Sequence, residues 1–143
     1  MNARRIDIPW LLEWILCLAL AAVFFAAAIP KIGNPSAFAL SVHQYGIVPQ
    51  LFVNAAAIYL PWLEISCAAA LAFIPSARRG ALWTAIAMLA VFAIALGATV
   101  VRGEVVSCGC FGGGGEPSSG WPGLLRNAGL IVLAAAGLKT LRR

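Results

Sequence analysis

The sequence predicts an all-α membrane protein, a four-helix transmembrane bundle, and three observations carry that reading. Hydrophobic residues make up 62% of the 143-residue chain and charged residues only 10%, against roughly 45–50% and 25% in soluble domains. A soluble core cannot absorb that excess. Four apolar segments, residues 10–29, 51–74, 81–101 and 121–141, are each long enough to cross a hydrocarbon layer of about 30 Å at 1.5 Å rise per residue. Lysine and arginine are distributed unequally between the two ends of these segments. A chain of this length reads as a single domain, residues 1–143.

In the first segment, Arg4 and Arg5 precede an apolar run that ends in the small residues Ala26 to Ala28, an arrangement that also suits a signal peptide. The run exceeds an ordinary signal-peptide core and contains Glu13, so it is read as a retained helix. Cys17 follows the bulky Leu16 and does not resemble a lipid-modified cysteine. Glu13 is expected near the inner interface, reaching toward Arg4 and Arg5.

The first connection contains "NPSAFALSVHQYGIVP". Asn34 can cap a short helix with Pro35 at its first position, and Phe38, Leu40, Val42 and Tyr45 give that helix an apolar side. It is expected at the outer membrane surface or tucked partly into the bundle. The second segment carries Pro61, which frees a backbone carbonyl and kinks a helix, and Glu64 three residues later. A charge at that depth is a functional candidate, with Lys31 or Arg126 as its expected partner; a structural ion pair and a functional carboxylate both remain open. "PSARRG" is short and basic and makes segments two and three an antiparallel hairpin. Arg126 and Asn127 lie inside the fourth segment.

The N-terminus, the "PSARRG" turn and the C-terminus carry Arg4, Arg5, Arg78, Arg79, Lys139, Arg142 and Arg143, seven charges, whereas the opposite side carries Lys31, Arg102 and Arg126, three. By the positive-inside rule both termini are expected to be cytoplasmic in a multi-pass membrane protein. The net charge of +5 is then a signature of orientation and calls for no nucleic acid. Trp10, Trp14 and Trp83 fall near the inner interface and Trp121 near the outer one, as aromatic belts require.

The third connection, residues 102–120, is therefore expected on the outer, extracytoplasmic side. It contains "VSCGCFGGGG", with Cys108 and Cys110 one residue apart. Cysteines at that spacing can form a disulfide, with Gly109 relaxing the backbone between them. As a staple, a three-residue loop contributes only about 1.6 kcal/mol in the chain-entropy model, before strain is subtracted. Strain raises the reduction potential, and a readily reduced disulfide suits exchange with another thiol pair. Arg126, roughly 7–8 Å below the start of its helix, could favour a thiolate there.

Two other readings of the pair stay open. Zinc wants four protein ligands, and only His43 in the other outer connection offers a third; copper(I) accepts two thiolates, although Met1 and Met88 make no thioether cluster. A non-enzymatic reading makes the chain a membrane subunit that binds and positions a partner, the disulfide only shaping the loop. Cys17 and Cys67 share a depth roughly 20 Å below the outer surface and read as small apolar core residues.

"IPKIGNPSAF", "YGIVPQL", "LPWLEI", "RGEVVSCGCFG" and "LLRNAGLIVLA" together resemble, in that order, the motifs of the methylamine utilisation protein MauE family, within the wider DoxX-like group of small four-span membrane proteins. The resemblance runs from about Leu11 to Ala135 and implies an inner-membrane, redox-associated protein. It implies a role in maturation of the methylamine dehydrogenase small subunit, a periplasmic polypeptide dense in disulfides. By position it assigns Cys108 and Cys110 to the family's cysteine pair, and Lys31, Glu64, Arg126 and Asn127 to its polar positions. The expected activity is thiol-disulfide exchange with a periplasmic thioredoxin-like protein or a disulfide-containing client. A membrane quinone is a candidate acceptor, with Trp62, Glu64 and Arg126 near its expected pocket; no motif requires it and none requires a metal.

Overall fold

A computed structural model describes residues 8–104 and 120–141. All regular structure among the described residues is helical. Helix α1 spans Ile8–Gly33, α2 Pro35–Gln44, α3 Gln50–Phe73, α4 Arg78–Arg102 and α5 Trp121–Leu141, with a single 3₁₀ turn at Pro75–Ala77 before α4. Helices α1, α3, α4 and α5 are each long and apolar enough to cross a membrane. The four-span fold expected from composition and segment length is the fold observed.

Each boundary has a local cause. Asn34 ends α1 and starts α2: its Oδ1 accepts from the Ala37 amide at 3.3 Å and from Ser36 Oγ at 2.8 Å, while Pro35 occupies the first turn, where its missing N–H costs nothing. Gly103 closes α4 in the left-handed region at φ 69°, and the amides of Gly103 and Glu104 donate back to the carbonyls of Val100 and Thr99 at 3.1 Å. That pattern satisfies carbonyls a helix end otherwise leaves bare. Pro61 sits inside α3, buried, and the helix continues through it to Phe73.

The bundle pairs α1 with α3 and α4 with α5, and α1 also packs on α5. Its main core joins Cys17, Leu20 and Phe24 of α1 to Cys67 and Leu71 of α3, Leu82, Met88 and Leu89 of α4, and Ala134 of α5. Close approach is built in at Gly137, where an added Cβ would meet Leu82 Cδ1 at 3.3 Å. Between 17% and 33% of each span's most apolar window is buried within the protein, and Ile58, Val91, Ile94 and Val132 face outward. So large an outward apolar surface needs lipid around it.

Helix α2 docks on α3 through Phe38, Val42, Val53 and Ala57, and Tyr45 packs on Leu96 of α4. Of the apolar side expected for this helix, Phe38, Val42 and Tyr45 are buried, but Leu40 is 59% exposed. Phe38, Val42 and Tyr45 recur at i, i+4 and i+7, while Leu40 lies two residues away on the far side. Arg102 Nη1 donates to the Tyr45 carbonyl at 3.3 Å. The next residue, Gly46, has φ 64°, and an added Cβ would stand 3.1 Å from the same guanidinium.

Candidate functional site

The interior of the bundle holds one buried ion pair between α1 and α3. Lys31 Nζ donates to Glu64 Oε1 at 2.5 Å, with the two side chains 2% and 3% exposed. Of the two partners expected for Glu64, the structure brings Lys31 to it. The ammonium also stands 5.0 Å from the ring centroids of Phe38 in α2 and Phe92 in α4, so one cation of α1 meets three other helices. Ring faces attract such a charge and partly replace the water it has lost.

The pair lines a small cavity of about 40 Å³. Arg126 and Asn127 of α5 reach the same cavity, and Phe24, Leu89, Phe92 and Leu130 complete most of its apolar wall. Asn127 is buried and its Nδ2 donates to the Leu89 carbonyl at 3.4 Å. Glu64 Oε2 is buried and has no hydrogen bond among the described residues. A volume near 40 Å³ holds about two or three waters. Lys31, Glu64, Arg126 and Asn127, the four polar residues singled out from the sequence in or beside the spans, thus line one cavity.

The cavity does not fit a quinone as the described residues form it. Its volume is that of a few waters, and Trp62 is 59% exposed and absent from the lining. Trp62 and Glu64 are two residues apart, about 200° around a helix, so one faces outward where the other faces in.

A second buried charge is Arg78, whose Nη1 donates to Glu13 Oε1 at 3.0 Å; Arg4 and Arg5, the sequence's expected neighbours of Glu13, lie outside the described residues. Arg78 is 1% exposed, donates from Nε to the Leu71 carbonyl at 3.1 Å, and lies 3.7 Å over the Trp14 ring. A residue counted among the loop charges therefore belongs to the interior and fastens the start of α4 to α1 and α3. Its position next to Arg79 hid this, because a run of two arginines reads as a solvated turn.

The remaining candidates separate. Cys17 and Cys67 are buried free thiols in the main core, and Cys67 Sγ donates to the Ala81 carbonyl at 3.2 Å. His43 is exposed on α2, and no group of three or more His, Cys, Asp or Glu residues among the described residues could hold a metal ion. Cys108 and Cys110, expected as the reactive pair, lie outside the described residues, in the connection between α4 and α5.

Four apolar helices around a buried lysine-glutamate pair define a small multi-pass membrane protein. The family model described as "Methylamine utilisation protein MauE" matches residues 9–140. The chain belongs to that family. It is 37% identical over 124 residues to the methylamine utilization protein MauE of Paracoccus denitrificans, covering 86% of this chain and 66% of the relative. It is 35% identical over 125 residues to the Paracoccus versutus protein of the same name, covering 87% and 67%, and 40% identical over 94 residues to that of Methylophilus methylotrophus, covering 65% and 49%. The chain thus spans about two thirds of the length of the two Paracoccus relatives. No solved structure matches it.

Proposed function

We propose that this chain serves methylamine utilisation as an inner-membrane thiol-disulfide exchange protein, a single domain with both termini cytoplasmic and Cys108 and Cys110 on the periplasmic side. The observation that carries the reading is the Cys-Gly-Cys sequence between the third and fourth spans of a MauE-family chain. The names of its relatives supply the pathway, and the lysine and arginine count supplies the orientation. The client is a periplasmic polypeptide that acquires disulfides, such as a methylamine dehydrogenase small subunit.

The exchange closes its own electron balance. A client thiolate attacks one sulfur of the Cys108–Cys110 disulfide, the S–S bond breaks, and the displaced sulfur leaves as a thiolate that takes a proton. A second client thiolate then resolves the mixed disulfide, leaving the client oxidised and the pair reduced. The reduced pair passes its two electrons to the disulfide of a thioredoxin-like partner by the same two steps. The bundle's part is to hold the ends of the connecting segment: Gly103 caps α4 on one side, and α5 begins at Trp121 on the other. Lys31, Glu64, Arg126 and Asn127 support it by fixing the helices that carry those ends.

Replacing Cys108 and Cys110 by serine tests the reading. Client disulfides are expected to form more slowly by at least tenfold while the variant still inserts and folds. Disulfide formation at the normal rate in that variant would leave the chain a non-enzymatic assembly subunit.

A further inference from the structure

We propose that the groove between α4 and α5, at the end of the bundle where α3 turns into α4, is a binding site for an anionic phospholipid. The groove has a volume of about 340 Å³ and carries a cation from each helix at its rim, Arg79 and Lys139. Trp83, Ile86, Ile131 and Leu138 line the rest, and no acidic residue is among the lining. The site is thus cationic at one end and apolar along its length, the polarity of a phospholipid.

The two cations are available for a ligand, unlike their neighbour. Arg78 is buried and committed to Glu13 and the Leu71 carbonyl, whereas Arg79 and Lys139 are exposed and have no ion pair among the described residues. Arg79 stands in the first turn of α4, where the helix dipole disfavours a positive charge. Helix stability does not explain that placement. An anion at the groove would offset both the dipole and the two side-chain charges.

The dimensions agree. Arg79, Trp83 and Ile86 follow one another at i, i+4 and i+7 along one face of α4, and this ridge rises roughly 10 Å. One leaflet of the hydrocarbon layer is about 15 Å deep; with Arg79 at the phosphate and Trp83 at the ester level, the roughly 5 Å from Trp83 to Ile86 carries the groove along the first third of an acyl chain's path. Trp83, 56% exposed, sits one turn below Arg79, at the level where indole rings meet ester and headgroup. A phosphate between Arg79 and Lys139, with one chain running along Ile86, Ile131 and Leu138, occupies the whole site.

The test uses the full chain in zwitterionic detergent micelles, titrated with phosphatidylglycerol or phosphatidylcholine brominated on the acyl chain, which quenches nearby tryptophan. Phosphatidylglycerol is expected to quench at roughly twenty-five-fold lower concentration than phosphatidylcholine, about fivefold for each cation. The Trp83→Phe variant is expected to lose this selective quenching, and Arg79→Gln with Lys139→Gln to lose the preference. Lys139→Gln alone, in the exposed last turn of α5, is expected to lose about fivefold and serves if the double variant does not fold. Equal quenching by the two lipids, or an unchanged preference in the folded charge variants, overturns the proposal. Displacement of the lipid by millimolar inorganic phosphate would assign the site to a free anion and also overturn it.

Discussion

Removing Lys31 should be among the most damaging single changes inside this bundle. In Lys31→Met the apolar stem is kept and the ammonium is lost, so Glu64 Oε1 loses its 2.5 Å partner at 3% side-chain exposure, and Glu64 Oε2 has no hydrogen bond among the described residues to compensate. Stranding one member of a buried pair costs about 3–5 kcal/mol. The lost contacts to Phe38 and Phe92, each at 5.0 Å, add about 0.5–1 kcal/mol apiece. Glu64→Leu should cost a similar amount by leaving the ammonium alone. The double variant, Lys31→Met with Glu64→Leu, should recover most of the loss, because replacing both partners by apolar groups of similar volume is often neutral. Reversible unfolding of the four proteins in mixed micelles gives the coupling directly, expected at about 4 kcal/mol or more, the two single costs less the small cost of the double variant. Additive costs, or single variants within about 1 kcal/mol of the parent, would refute the view that this pair holds α1 to α3.

Other variants probe the remaining contacts. Arg78→Met should destabilise by about 2–3 kcal/mol in the same assay, since it removes charged hydrogen bonds to the partly exposed Glu13 and to the Leu71 carbonyl, whereas Arg79→Met on the exposed neighbouring position should change stability by less than about 0.5 kcal/mol. Gly129→Ala, with nothing within 4 Å of the added Cβ, should raise stability by about 0.5–1 kcal/mol through helix propensity. Gly137→Ala should instead lower it, because Leu82 already lies 3.3 Å from the new atom and a packed core resists added volume by about 1–3 kcal/mol. Cys67→Ala should cost about 1 kcal/mol for the lost hydrogen bond to the Ala81 carbonyl, and Cys17→Ala with Cys67→Ala should leave the rate of the thiol exchange proposed for Cys108 and Cys110 unchanged.

What the sequence made legible follows from which physics is local. Span number depends only on how many consecutive apolar residues a bilayer demands, and all four were readable. The Asn34 cap was readable too, because its partners lie within three residues. Faces were harder. Leu40 and Trp62 were grouped with residues two positions away, and in each case the helix turns them to the opposite side, a distinction that i, i+4 spacing alone supplies. Arg78 and Glu13 are 65 residues apart, and no local pattern joins them. For Glu64 the choice between Lys31 and Arg126 needed the packing of α1 on α3; in the fold the cavity gathers both, with Lys31 on the carboxylate and Arg126 on the wall.

The helix that contributes Arg126 and Asn127 to the polar cavity is the one that follows the cysteine-bearing connection in the chain. Disturbing the cavity should therefore alter exchange only through the placement of α5. Asn127→Ala, which frees the Leu89 carbonyl, is expected to cost about 1–2 kcal/mol of stability and to slow client oxidation by less than the loss of either cysteine.

The most direct measurement is covalent trapping. Membranes carrying Cys108→Ser or Cys110→Ser are quenched with acid, alkylated and resolved without reductant. The account predicts that one single variant accumulates a reductant-sensitive mixed disulfide with a thioredoxin-like protein or the client, and that the double variant forms none. Free thiols in both single variants, with client disulfides forming at the parental rate, would contradict it.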